Sequence, residues 1–348
     1  LSTNIAQRRL WICISRFLGD NGFLVVTLLI IAFFSVRSPY FFTLSNFLAM
    51  FHTMAPVVVA ACGMALLVIG GKIDISIGSI ALLATSTAVI LMLDGGVPPV
   101  LALALALLVG IVLGALNGLI VTVLGINPLI TTLGTMIGFR GVALQMTNAG
   151  TFPLPDSVRW IGNLTVGPVN LDVLIALAVV LAVHYIHRRT AFGRHMTAIG
   201  NGEETARRLG IRTNFVLFAG FALSGFLAAV GGAMSVLQVS LLSTSVGRGM
   251  EFSAVAVVIV GGISLFGGRG TVWPQLVLGA FVFQLIATGL TQIGADPYAY
   301  RVISGALIFV AMFADALKAR RRRMRAIAPE TLPELEQPGL QENASVQR

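Results

Sequence analysis

Glu203 and Glu204, followed one helical turn later by Arg207 and Arg208, are charged groups whose spacing suits docking rather than bond making. Both acid-first pairs at i,i+4 support a helix by about 0.2–0.5 kcal/mol each. Asn201 stands at a capping position with Glu204 three residues on, and Gly210 can take the left-handed stop, so a helix of about two turns is expected over 201–209. Isolated helices shorter than about 12–15 residues are marginal in water, so this one needs a surface to pack against. Ala206 and Leu209 lie three apart on the face that would meet it. The reading is a docking element for a cytoplasmic partner; the alternative is a short connector between two spans.

Other side chains are of types that can do chemistry. Arg140 interrupts an apolar run, and an ionisable residue within a span is a functional hypothesis, with snorkelling to the outer surface as the alternative. His184 and His187 at i,i+3 could ligate a metal, but no third ligand accompanies them, and with Arg188 and Arg189 they read as an interfacial basic cluster. Cys13 and Cys62 have no CxxC spacing. No Walker A sequence, nucleophile elbow or metal-ligand cluster occurs, so no enzyme activity, no metal and no cofactor are expected.

The composition sets the medium in which these residues work. A mean hydropathy of +0.91 with 56% hydrophobic and 11% charged residues places the chain among polytopic membrane proteins. The net charge of +9 gathers at span ends and in the C-terminal KARRRRMR run, which fits membrane topology and lipid headgroups rather than nucleic acid. About ten helical spans are expected, near 22–36, 54–70, 79–93, 98–124, 128–147, 171–187, 215–238, 252–266, 273–293 and 301–317. Residues 1–21, with Arg8, Arg9 and Arg16, and the tail 318–348, whose prolines suit disorder, are expected in the cytoplasm, flanking a membrane domain over 22–317 with a cytoplasmic loop at 188–214. No cleavable leader is expected, because the apolar run from about Phe23 lacks a cleavage pattern.

Within the spans, residues 38–53 read as an aromatic interfacial segment. Two glycine-rich breaks, 71–79 and 261–270, interrupt apolar stretches; non-helical backbone at such depth is buried in protein or lines a watery cavity. Gly71, Asp74, Gly261 and Gly262 are therefore candidate gate residues, with an ordinary turn as the alternative. The two breaks also suggest an internal repeat. Gly110, Gly114 and Gly118 mark a close helix contact. The run 128–147 is polar for lipid exposure and is expected to face the protein interior; Asn127, Thr131, Thr132 and Gln145 are candidate pathway residues. Residues 148–170 form a loop long enough to meet an extracytoplasmic partner.

Several stretches resemble the membrane permease of bacterial ABC sugar importers of the ribose, xylose and galactose type, a family similar to the branched-chain amino acid permeases. Gly71 to Ser79 resembles its Gly-Ile-Asp-Leu-Ser-Val-Gly segment, with Lys72 as an inserted charge. Asn117-Gly118, Pro128 to Leu133 and the Gly261 to Gly270 run match further motifs, and the likeness covers about residues 38–316. In the charged loop, Glu204, Ala206 and Gly210 keep the spacing of the importers' ATPase-docking motif, although its hydrophobic tail is absent. Trp273-Pro274-Gln275 departs from the family, which has small residues there.

The resemblance implies an all-α, type II importer-like fold in the bacterial inner membrane. It also implies an ATPase docked at Glu203, Glu204, Ala206, Leu209 and Gly210, an external solute-binding protein, and a second permease copy. A monosaccharide is the implied substrate, with branched-chain amino acids or another small polar solute as the alternative. A stand-alone secondary transporter would want ionisable groups at mid-membrane, whereas most acids here lie in loops or at span ends.

Overall fold

A computed structural model of the protein describes residues 23–296 and, within 302–317, residues 302–303, 305–306, 309–310, 312–313 and 315–317, which are helical. The expected cytoplasmic segment 1–21 and the tail 318–348 lie outside the described residues. Helices α1 (Phe23–Arg37), α2 (Leu44–Ile69), α3 (Ile77–Leu93), α4 (Pro99–Thr122) and α5 (Pro128–Met146) come first. After a short helix α6 (Asp156–Arg159) come α7 (Leu171–Arg189), α8 (Ala191–Asn201), α9 (Glu203–Arg208), α10 (Thr213–Val239), α11 (Met250–Val260) and α12 (Gln275–Gln292). Six of these, α2, α4, α5, α7, α10 and α12, are long and apolar enough to cross a membrane, and α1, α3 and α11 are shorter apolar helices. The molecule is a helical polytopic membrane protein.

Helices α2 and α10 form the centre, and α3, α4, α7, α11 and α12 pack around them. The glycine row on α4 sets the closest of these contacts. A Cβ at Gly114 would overlap the Phe221 carbonyl of α10, and one at Gly225 would overlap the Gly110 carbonyl, so the two backbones touch where only glycine fits. At the other end of α2, His52, Asp172 of α7 and Gln238 of α10 are joined: His52 Nδ1 lies 2.8 Å from Asp172 Oδ2, and Gln238 Nε2 donates to the His52 carbonyl at 2.7 Å and to the same carboxylate. Two-stranded pairings decorate that end, β1 (Phe152–Pro153) with β4 (Leu241–Leu242) and β2 (Thr165–Val166) with β3 (Val169–Asn170).

The structure corrects four expectations. Residues 44–53 are the first turns of α2 rather than an interfacial segment: Thr43 caps them through the Asn46 N–H at 3.3 Å, and Phe47 and Phe51 stack on Phe281 of α12. The loop 188–214 contains a further helix, α8, hidden in the sequence by Gly193 and Gly200, which lower helix propensity. The helix at the span expected over 252–266 is α11, which starts two residues earlier and stops at Val260, eleven residues or about 16 Å in all.

The fourth correction concerns α5, which lies against α3 and is largely exposed on its other side. Gly134, Gly138 and Gly141 have no neighbour within 4 Å of where a Cβ would stand, and Gln145 is exposed beside them. Thr131 and Thr132, on the buried side, do face the interior as expected.

Candidate functional site

Both glycine breaks and the charged helix meet at one place. Helix α2 stops at Gly70, and Gly71 turns left-handed (φ +74), which lets Lys72 N–H reach back to the Leu67 carbonyl at 2.8 Å. Three residues on, Asp74 is fully buried. Its Oδ1 accepts from Ser76 N–H at 3.0 Å and from Ser76 Oγ at 2.6 Å, an Asx turn that sets the start of α3. Ser224 of α10 donates to Asp74 Oδ2 at 3.2 Å, and Asn117 of α4 donates to Ser76 Oγ at 2.7 Å. A carboxylate accepting three hydrogen bonds thus pins the first break to two neighbouring helices.

The second break follows α11. A Cβ at Gly261 would overlap the Gln275 carbonyl of α12, whereas Gly262 has room but a left-handed backbone (φ +90), so the pair divides close approach and dihedral between them. The chain then folds over the first break. Gly268 N–H donates to the Ile69 carbonyl at 2.7 Å, closing the end of α2 with backbone from 199 residues further along. Asp315 ties the same break from the last helical stretch, accepting from Ser264 Oγ at 3.1 Å and Leu265 N–H at 3.2 Å.

The third participant is the end of α8. A Cβ at Gly200 would overlap both the Ile69 carbonyl and the Gly268 N–H, and one at Gly267 would stand 3.0 Å from the Cα atoms of Gly200 and Gly71. Asn201 Nδ2 donates to Thr197 O at 2.9 Å and to Gly268 O at 3.4 Å. Asn201 therefore closes α8, and Gly202 is the N-cap of α9, so the expected capping box is not formed.

The two i,i+4 pairs are present: Arg207 Nη2 to Glu203 Oε1 at 3.3 Å and Arg208 Nε to Glu204 Oε1 at 3.2 Å. Gly210 is left-handed as expected. Lys72 Nζ lies 2.9 Å from Glu203 Oε2, joining α9 to the first break. The expected shared face of Ala206 and Leu209 is not kept, because α9 ends at Arg208: Ala206 is buried in this chain's own core at 1% exposure, and Leu209 projects at 77%.

Away from the junction, residues 243–249 run alongside the start of α3. A Cβ at Gly78 would overlap the Gly247 carbonyl and the Glu251 carboxylate. Arg140 of α5 holds this stretch, donating to the carbonyls of Thr244 at 3.2 Å and Val246 at 3.4 Å. Asn127 is exposed and caps α5 through the Leu129 N–H at 2.9 Å. The histidines serve packing: His184 Nδ1 accepts from Trp273 N–H at 3.2 Å, and His187 Nε2 lies 3.2 Å from Thr197 Oγ1. Among the described residues no group of three or more His, Cys, Asp and Glu side chains could hold a metal ion.

The structure brings Gly71, Asp74, Gly261, Gly262 and Glu203, all singled out in the sequence, to one junction, and adds to it Gly200, Gly267 and Ser224, which were not. Ser76, two residues after Asp74, carried the Asx-turn spacing that could have been read. Ser224 and Gly200 carried no local signal, because their partners are long-range.

Comparison with known proteins gives the chain its relatives. The family model described as branched-chain amino acid transport system / permease component matches residues 43–312. The probable ABC transporter permease protein YphD of Escherichia coli (strain K12) is 34% identical over 311 residues, covering 88% of this chain and 92% of that protein. The ribose import permease protein RbsC of the same strain is 33% identical over 307 residues, covering 86% and 95%. Its galactose/methyl galactoside import permease protein MglC is 32% identical over 326 residues, covering 88% and 97%. No solved structure matches significantly.

Proposed function

This chain belongs to the family of branched-chain amino acid transport system permease components, and from that premise we propose that it is the translocation subunit of an ATP-driven importer of a monosaccharide. The observation that carries the mechanism is the convergence of the α8–α9 unit with both glycine breaks through Gly200, Gly267 and Lys72. A cytoplasmic ATPase bound at Glu204, Leu209 and Gly210 would move α9, and the junction would move with it. Asp74, Gly261 and Gly262 then fix the geometry of an inner gate. Sugar is favoured over amino acid because the relatives named for ribose and galactose import align over nearly their whole length.

Ten spans with both termini in the cytoplasm complete the reading: the six long helices, α1, α3, the 301–317 run, and α11 taken together with its approach at 243–249. Residues 148–170 receive the solute-binding protein on the far side. The open side of α5, with Gly134, Gly138, Gly141 and Gln145, faces the pathway shared with a second permease copy, while Thr131 and Thr132 line its buried flank and Asn127 its inner end. ATP hydrolysis tests the assignment: the assembled complex is expected to hydrolyse faster when the binding protein carries its sugar, and a rate indifferent to loaded binding protein contradicts it.

Two further results are expected. In a cysteine-free background, a cysteine replacing the exposed Ser157 should react with an impermeant thiol reagent in intact cells, and one replacing the exposed Thr205 should not. Labelling at 205 from outside would reverse the topology. Leu209→Asp should leave membrane insertion unchanged but lower ATPase co-purification at least about ten-fold, since a charge placed in an apolar contact costs several kcal/mol. Ala206→Glu would instead disrupt this chain's own packing.

A further inference from the structure

Lys72 is the charge inserted into the first break relative to the family pattern, and its ammonium meets Glu203 across 131 residues of chain. Glu203 uses both carboxylate oxygens: Oε1 accepts from Arg207 on its own helix, which orients the group, and Oε2 faces Lys72 at 2.9 Å. Glu204, one residue on, pairs only with Arg208, and those side chains are 67% and 78% exposed against 34% and 20% for Glu203 and Lys72. The inner pair is therefore less screened by water and salt.

The other contacts between the α8–α9 unit and the end of α2 with its break are packing contacts, Gly200 against Ile69 and Gly71 and the Met196 side chain beside Gly70. Such contacts resist compression strongly and separation weakly. An ion pair resists separation. Gly71, left-handed and immediately before Lys72, is a backbone joint at the point where a pull would act. Beyond Lys72 lies Asp74, and with it the start of α3.

We propose that the Lys72–Glu203 ion pair is the tie through which α9 draws on the first break, making these two residues a positioning pair that converts movement of the docking helix into movement of Asp74 and α3. The proposal rests on the import reading above. Glu204 and Arg207 stand beside the tie without forming it.

The test uses the whole importer, permease with its ATPase and binding protein in proteoliposomes, and measures both ATP hydrolysed and sugar taken up. Lys72→Met and Glu203→Gln should each retain hydrolysis stimulated by loaded binding protein while sugar moved per ATP falls about ten-fold, as loss of one partner leaves a half-buried charge unpaired. Lys72→Arg should keep the ratio near wild type, because a guanidinium reaches the same oxygen. Arg208→Gln, at an exposed helix surface, should stay within about two-fold. A Lys72→Met importer with the wild-type ratio overturns the tie, as does a Lys72→Arg importer that loses as much as Lys72→Met. If Lys72→Met fails to insert, Glu203→Gln, at a helix surface, carries the same test. A wild-type importer that hydrolyses ATP and moves no sugar overturns the import reading itself, and the wild-type control distinguishes that failure from failure of the tie.

Discussion

Gly200→Val is expected to abolish ATP-driven uptake. Its side chain would begin inside the space held by the Ile69 carbonyl and the Gly268 N–H, which are themselves hydrogen-bonded at 2.7 Å. Backbone atoms fixed by a hydrogen bond cannot turn aside as a side chain would, so the α8 end must lift off the junction. Overpacking of this kind costs about 1–3 kcal/mol or more, and every 1.4 kcal/mol is roughly ten-fold in the population of the assembled junction. Gly202→Ala, two residues on, is the control. Its backbone is extended (φ 169) and a Cβ there meets only Thr205 at 3.4 Å or beyond, so uptake should stay near wild type. Uptake and membrane level measured for both variants decide the point; normal uptake by Gly200→Val would mean that the three segments need not touch.

Asp74→Ala should have the second largest effect. Removing the carboxylate leaves Ser76 N–H, Ser76 Oγ and Ser224 Oγ without their acceptor in a buried site, at about 1–3 kcal/mol for each donor left unmade. The start of α3 then loses its hydrogen-bonded link to α10. Asp74→Asn keeps one oxygen acceptor and should fall between Ala and wild type, and Ser224→Ala, which removes a single donor, should be mild. Thermal unfolding of the purified permease is expected to rank the three in that order, with uptake following the same rank. Equal melting of Asp74→Ala and wild type would remove Asp74 from its pinning role.

Local chemistry was legible in the sequence, and long-range closure was not. The pairs Glu203–Arg207 and Glu204–Arg208 and the left-handed Gly210 depend on residues four or fewer apart, and spacing found them. The cap at Asn201 failed because the side chain is taken by Thr197 and Gly268, the latter 67 residues away. The glycine breaks stood out as interruptions, yet nothing in either indicated that Gly268 would close the end of α2. Helix α8 was hidden because its glycines answer to the close approach of other backbones rather than to helix propensity. The polar and small residues of α5 suit an interior position, but composition does not distinguish the core of one chain from a face left open toward another; the structure leaves that side exposed.

Uptake of radiolabelled sugar into proteoliposomes tests the central claim most directly. Permease, ATPase and binding protein are reconstituted together, with ATP supplied on the ATPase side and a panel including ribose and galactose on the other. Accumulation of one such sugar that requires ATP, the ATPase and the binding protein together is the result predicted here. Accumulation by the permease alone under an imposed ion gradient, without ATPase or ATP, would contradict the account.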